Sequence, residues 1–263
     1  GLAARRLPIA MGAGPSRLKG GDSMTDTLTV PIDPACTERN YNPPGYRRNA
    51  LAGPMTPDEY DAWYRTPRGN WIGATEFALL ARLLELRPDE TVLDAGCGTG
   101  CFTRRLAEGR TGCVTGIDVD GAAVRYARDH STGNAAFARA DAQRLPFPDR
   151  SFDAVVSVTA LCFMQDERAA LMEMLRVARR RIVLGLLNRR SLLYLAKGRG
   201  GSSGSYRGAH WHSYASIREL FGGLPASNLR LQSAVFLPGG GVLARRAEPY
   251  LAHVIGGYGA FIA

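Results

Sequence analysis

The sequence predicts an α/β fold, a doubly wound sheet with helices on both faces, and three stretches predict it. In TVLDAGCGTGCF (residues 91–102), the short apolar run of Val92 and Leu93 ends at Asp94. Glycines follow at 96, 98 and 100, and a helical pattern starts at once. That is the layout of a buried strand, a tight turn and a helix. In VTGIDVD (114–120) a second apolar strand ends in a carboxylate, Asp118, 24 residues after Asp94. In ARADAQRLPFPDRSFDAVVSVTAL (138–161), Asp141 stands at a third strand-to-loop junction, before a turn and a fourth apolar strand at 154–158.

The glycines have a physical task. A turn this tight needs backbone angles that side chains oppose, and a ligand pressed against the main chain leaves no room for a Cβ. The helix that follows, expected over 99–108, directs its free N–H groups at the crevice. Dinucleotide loops read G-x-G-x-x-G; here the spacing is G-x-G-x-G, with Cys101 where the third glycine would fall. A carboxylate at the tip of the second strand suits both hydroxyls of a ribose.

With Asp94 two positions before Gly96, the loop resembles motif I of the class I S-adenosylmethionine-dependent methyltransferases, D-x-G-x-G-x-G. The turn L-P-F-x-D-x-S-F-D is similar to that of the group containing the ubiquinone and menaquinone biosynthesis methyltransferases, and the resemblance covers residues 58–233. It implies a seven-stranded Rossmann-like methyltransferase sheet with an antiparallel last strand and a helical lid. The implied cofactor is S-adenosyl-L-methionine, with S-adenosyl-L-homocysteine as product. Asp94, Gly96, Cys97, Gly98 and Gly100 would cradle it, Asp118 would meet the ribose, Asp141 and the Ala142 N–H would meet the adenine, and Val119 and Val158 would complete the cofactor-binding set. The implied reaction is methyl transfer to a small molecule by in-line displacement, which needs placement and desolvation more than a nucleophile. The alternatives are an RNA methyltransferase and a cofactor-binding regulatory subunit without turnover.

Along the chain, residues 1–50 read as a disordered or extended arm, rich in Gly, Pro and Arg, with Met11 and Met24 as candidate starts. Residues 51–263 read as the methyltransferase domain, with an insertion at 188–215. A hydrophobic content of 45% is ordinary for a globular chain, and no run approaches the ~18 apolar residues of a membrane span. Five scattered cysteines form no C-x-x-C pair, so neither zinc nor a disulfide framework is indicated, and a cytoplasmic setting is the simple expectation.

Residues 56–86 read as two lid helices, the first capped by Thr56 with Pro57 behind it. Trp63, Tyr64 and Trp71, with Tyr60, are candidate cleft aromatics or simple anchors of the helices. A helix is expected over 166–180 and a buried strand over 181–187. Between Glu173 and Glu219 stand ten basic residues and no acid, which suits either an electropositive rim for an anionic substrate or RNA, or a solvated face. Thr159, Cys162 and Trp211 are expected to line the substrate space. His210 and His212 are the candidate bases, because an imidazole titrates near neutrality. Ser213 or Ser216 would cap the next helix. The tail suits sixth and seventh strands around a helix near 247–254, and the chain stops inside the last strand, so native C-terminal residues are expected beyond it. A monomer or homodimer is expected.

Overall fold

The computed structural model describes residues 55–199 and 204–263. The arm at 1–50, its candidate starts and the centre of the glycine–serine stretch lie outside the described residues.

Seven strands form one sheet in the order β3-β2-β1-β4-β5-β7-β6. They are β1 (Val92–Ala95), β2 (Val114–Asp118), β3 (Ala135–Arg139), β4 (Phe152–Val158), β5 (Ala178–Leu187), β6 (Ser233–Ala234) and β7 (Phe261–Ile262). The first five are parallel, and β7 runs antiparallel to both of its neighbours. The chain winds outward from β1 to β3 and then returns to β4 on the other side of β1. A crevice therefore opens above the C-terminal ends of β1 and β4, where ligands bind in sheets of this kind.

The central strands are apolar throughout because both faces are covered. Leu93 and Val155 pack with Leu171 and Met174 of α5 (Glu167–Val177) and Ile217 of α6 (Tyr214–Leu220). Val92, Ala154 and Val156 face the other way, onto Leu80 and Leu84 of α2 (Pro67–Leu84) and Phe102 and Leu106 of α3 (Cys101–Ala107). α1 (Pro57–Arg65) begins in a capping box in which Thr56 and Glu59 satisfy each other's backbone N–H. Thr66 separates it from α2 and caps the second helix. Ser213 caps α6, with Ser216 returning the bond. α4 (Gly121–Asp129) starts at Asp120.

Three expectations are corrected. The helix after β4 ends at Val177 and not at 180, because Ala178 already pairs with Phe152 and the strand absorbs Arg179–Arg181. The tail contributes only two residues to each of β6 and β7. Val235 turns the chain away from the sheet at φ +64, and Glu248 of α7 (Val242–Val254) accepts the freed N–H groups of Val235 and Phe236 at 2.5 and 3.0 Å. Finally, four of the ten basic residues are not a rim. In the last turn of α5 Arg176 pairs with Glu173 and Asp149, and at the start of β5 Arg179 pairs with Asp153, Arg180 with Glu90 and Arg181 with Glu85, all away from the crevice. No helix among the described residues is long and apolar enough to cross a membrane.

Candidate functional site

The glycine loop after β1 forms as expected, and its glycines differ in what holds them. Gly96, Gly98 and Gly100 adopt φ of +86, +54 and +80. A Cβ at Gly96 would stand 2.2 Å from the Ala160 Cβ, and one at Gly100 would stand 2.7 Å from the Phe137 ring. A Cβ at Gly98 would meet nothing within 4 Å. Two glycines are thus required by close packing of protein on protein, and the middle one faces open space.

The carboxylates converge on this loop. Asp118, at the end of β2, accepts the Gly98 N–H at 2.9 Å and the Asp120 N–H at 2.8 Å. Burial raises its pKa, with these backbone bonds opposing the shift. Asp94 is 1% exposed; its Oδ2 accepts the Thr103 hydroxyl at 2.6 Å, while its Oδ1 has no hydrogen-bond partner. Burial pushes this carboxyl up to about 7, the Thr103 bond opposing and the Asp118 charge adding to the shift. Asp141 follows β3, and its Oδ1 accepts the Gln143 N–H at 2.9 Å, placing Ala142 in the turn between them. Val119 follows Asp118, its carbonyl held by Arg139 at 2.9 Å.

Above the loop lies a small cleft walled by Asp94, Gly96, Gly98, Val158 and the lid residues Tyr60 and Tyr64. Tyr64 stands edge-on to Phe102 and to Trp63. A larger groove of about 400 Å³ lies at the other end of the sheet, between Arg181, Phe221 and Arg230, away from these groups.

Other expected residues go elsewhere. Trp63 is edge-on to Tyr64 and packs on the α2 side of the sheet. Trp71 packs beside Gly240 of the loop before α7, so both tryptophans anchor the lid and do not line the cleft. Cys162, expected in the substrate space, is fully buried and accepts the Leu187 N–H at 3.3 Å. Burial pushes its thiol up to about 12. Thr159 ends β4 at φ +56 with its hydroxyl turned back onto the Val158 carbonyl at 2.7 Å. Trp211 packs between Tyr194 and Tyr206, at 5.3 and 5.6 Å between ring centres.

His210 and His212 meet on one oxygen of Glu167, at 3.1 and 3.0 Å. Burial raises the Glu167 pKa and the two imidazoles more than offset it, leaving a net lowering. His212 is buried, its main chain pinned to Leu187 and Arg189. Neither histidine belongs to the cleft wall.

Two groups escaped sequence reasoning. Asp61 of α1 is buried and takes the Arg104 guanidinium of α3 at 2.7 Å, while Arg104 also donates to the Thr99 carbonyl at 2.6 Å. Glu76 of α2 stands among apolar positions, where a charge at core-facing spacing was a visible signal.

Residues 92–181 match the family described as a methyltransferase domain. Over that stretch, from β1 to the start of β5, the chain is similar to methyltransferase domains, and the α/β sheet described above is the frame that carries it. An uncharacterized protein of Mycobacterium tuberculosis is 34% identical over 166 residues, covering 61% of this chain and 55% of that protein. A ubiquinone/menaquinone biosynthesis C-methyltransferase of Ectopseudomonas mendocina is 39% identical over 99 residues, 35% of this chain and 39% of that enzyme. The chain thus spans about half, or less, of these relatives. A Thermotoga maritima structure described as a possible histamine N-methyltransferase superposes with a TM-score of 0.62 at 24% identity, over 78% of this chain and 92% of that one, a likeness of fold.

Proposed function

We propose that the protein transfers the methyl group of S-adenosyl-L-methionine to a small-molecule acceptor. The observation that carries this reading is the unpartnered Oδ1 of Asp94 in a cleft wall, beside a glycine that faces open space. A buried carboxylate oxygen without a donor is costly unless a ligand supplies one. An ammonium does so, and the methionyl end of the cofactor carries one.

The remaining residues fit the same group. Asp118 keeps lone pairs free for ribose hydroxyls, Asp141 and the Ala142 N–H suit the adenine edge, and Val158 with Tyr64 walls the methionyl end. When bound, the cofactor supplies an electrophilic methyl on a sulfonium. The chain's own contribution is then to orient the acceptor and to exclude water, through α1 and α2 held over the loop by the Asp61–Arg104 pair. The paired arginines at the start of β5 weaken the case for RNA as acceptor. Binding of RNA would show as affinity that falls steeply with salt.

The test is calorimetric titration of S-adenosylmethionine and S-adenosylhomocysteine, with NADH as control, into wild type, Asp94→Asn and Asp118→Ala. Micromolar binding of the sulfur compounds, lost by at least tenfold in each variant, is expected. Folded wild type that binds neither compound overturns the reading.

A further inference from the structure

The segment after β5 carries a helical turn, Tyr194–Gly198, whose surroundings differ sharply between its two sides. On the inner side Leu193 is buried in the core, Tyr194 stands edge-on to Trp211 at 5.3 Å, and a Cβ at Gly198 would run into the Tyr194 ring. On the outer side Leu192 and Leu195 are 51% and 58% exposed, with Ala196 also exposed at helical spacing from Leu192. The inner residues hold the turn to the body of the protein. The outer leucines stand in water.

Cations surround this apolar tip. Arg189, Arg190, Lys197 and Arg199 are all exposed, and among the described residues none of the four pairs with an acid. They differ in this from Arg179, Arg180 and Arg181, whose charges are met by Asp153, Glu90 and Glu85. The same surface continues onto the end of α7. Asn188 is buried, and its Nδ2 donates to the Gly257 and Gly259 carbonyls at 3.0 and 2.7 Å. These bonds hold the segment that carries Tyr258 against the one that carries Arg189 and Arg190. Tyr258 is half-exposed, and Ile255, whose carbonyl accepts the Tyr258 N–H at 3.1 Å, is exposed as well.

We propose that this face docks the protein on an anionic lipid surface, with Leu192, Leu195, Ile255 and Tyr258 entering the headgroup region and the four cations meeting the phosphates. Charge sets the sign of the partner: four cations stand within residues 189–199, and no acid occurs between Glu173 and Glu219. The apolar tip sets its kind. Aliphatic side chains gain by leaving water for acyl chains, whereas they offer no ring on which a base stacks, so a bilayer fits this face better than RNA does. Lysine and arginine stems lie along apolar surface while their heads reach the phosphates, and a tyrosine suits the boundary between chains and headgroups. With so few apolar groups the contact is peripheral and reversible, and it needs both the leucines and the cations.

The test incubates the full chain with vesicles of phosphatidylcholine alone, or of phosphatidylcholine mixed with phosphatidylglycerol, and sediments them. Binding to the mixed vesicles is expected to be tighter by about tenfold or more and to weaken as salt rises. Arg189→Gln combined with Arg190→Gln should weaken it by about tenfold. Leu192→Ser combined with Leu195→Ser should weaken it by about fivefold, with the melting temperature unchanged because both side chains are exposed. Leu192→Trp supplies an independent reporter, whose added emission should shift to the blue on mixed vesicles and stay unshifted with poly-uridine. Equal affinity for the two kinds of vesicle, or mixed-vesicle binding that the leucine pair leaves untouched, overturns the docking face. Poly-uridine binding that depends on the two arginines, with no blue shift of Leu192→Trp on vesicles, assigns the face to RNA and overturns it too.

Discussion

The carboxylate of Asp61 lies 2.7 Å from the guanidinium of Arg104, and this one pair fastens the lid to the helix that follows the glycine loop. Asp61 also holds Arg65 at 2.7 Å, and Arg104 holds the Thr99 carbonyl. Asp61 is buried and would keep Arg65 on losing Arg104, so the cost is that of one charged hydrogen bond, roughly 1.5–3 kcal/mol. Arg104→Ala is expected to lower the melting temperature and to weaken S-adenosylhomocysteine binding, since the lid no longer covers the loop. A double-mutant cycle with Asp61→Ala should show a coupling of about 1–3 kcal/mol in stability. Additive effects would remove the pair from the lid's fastening.

Asp94 makes stability depend on pH in a stated direction. Its carboxyl rises from 3.8 to about 7 on folding, so between these values the unfolded chain has lost a proton that the folded chain keeps. Stability from this group therefore falls as pH rises through that window. Glu76, raised to about 8, acts with the same sign. The lowered carboxyls, Asp153, Glu167 and Glu173, contribute stability that is lost only as pH falls below their ordinary range. Melting curves of ligand-free protein from pH 5 to pH 8 should slope downward, and Asp94→Asn should flatten the slope. Calorimetry of S-adenosylmethionine at pH 6 in buffers of different ionisation enthalpy should show release of a proton, as the ligand's ammonium favours the Asp94 carboxylate.

The three loop glycines should respond differently to alanine. At Gly96 the new Cβ would meet Ala160 at 2.2 Å, so Gly96→Ala should cost at least about 2 kcal/mol in folding. At Gly98 only the positive φ opposes a side chain, about 1–2 kcal/mol, since no protein atom is near. Gly98→Ala should therefore fold yet lose cofactor affinity, because its methyl occupies the open space. Equal folding losses in urea unfolding would contradict this division.

Glu248 acts as a carboxylate plug for two backbone N–H groups at a strained β-branched residue, Val235. Glu248→Ala should destabilise the fold by about 3 kcal/mol, two charge-assisted bonds being lost. Val235→Gly should recover about 1 kcal/mol by relieving the left-handed strain. Chemical denaturation of the single and double variants reads both effects.

Motif spacing made the loop side of the sheet legible. The glycine loop, Asp118, Asp141 and the strand ends stand where the sequence predicts them, because each is a local event: a strand ends, a turn demands glycine, a carboxylate occupies the next junction. The substrate side was legible only in outline. Cys162 was read as lining because it follows the fourth strand and Trp71 because it belongs to the lid, but lining depends on which way a side chain points, and one lies inside the core while the other packs behind the lid. The partner that His210 and His212 share, Glu167, lies 43 and 45 residues away, and no local spacing announces it.

By itself the sequence determined the winding of the sheet, the place of the glycine loop and the caps of α1 and α6, since period, turn chemistry and capping act over a few residues. Only the tertiary structure decided which charges are spent on one another. The arginines of β5 close onto Glu90, Glu85 and Asp153, Arg104 closes onto Asp61, and Asp94 Oδ1 is left without a donor. Electrostatic pairing depends on distance in space and on burial, which residue order does not encode, and the unpartnered Asp94 oxygen is the group that the proposed cofactor would meet.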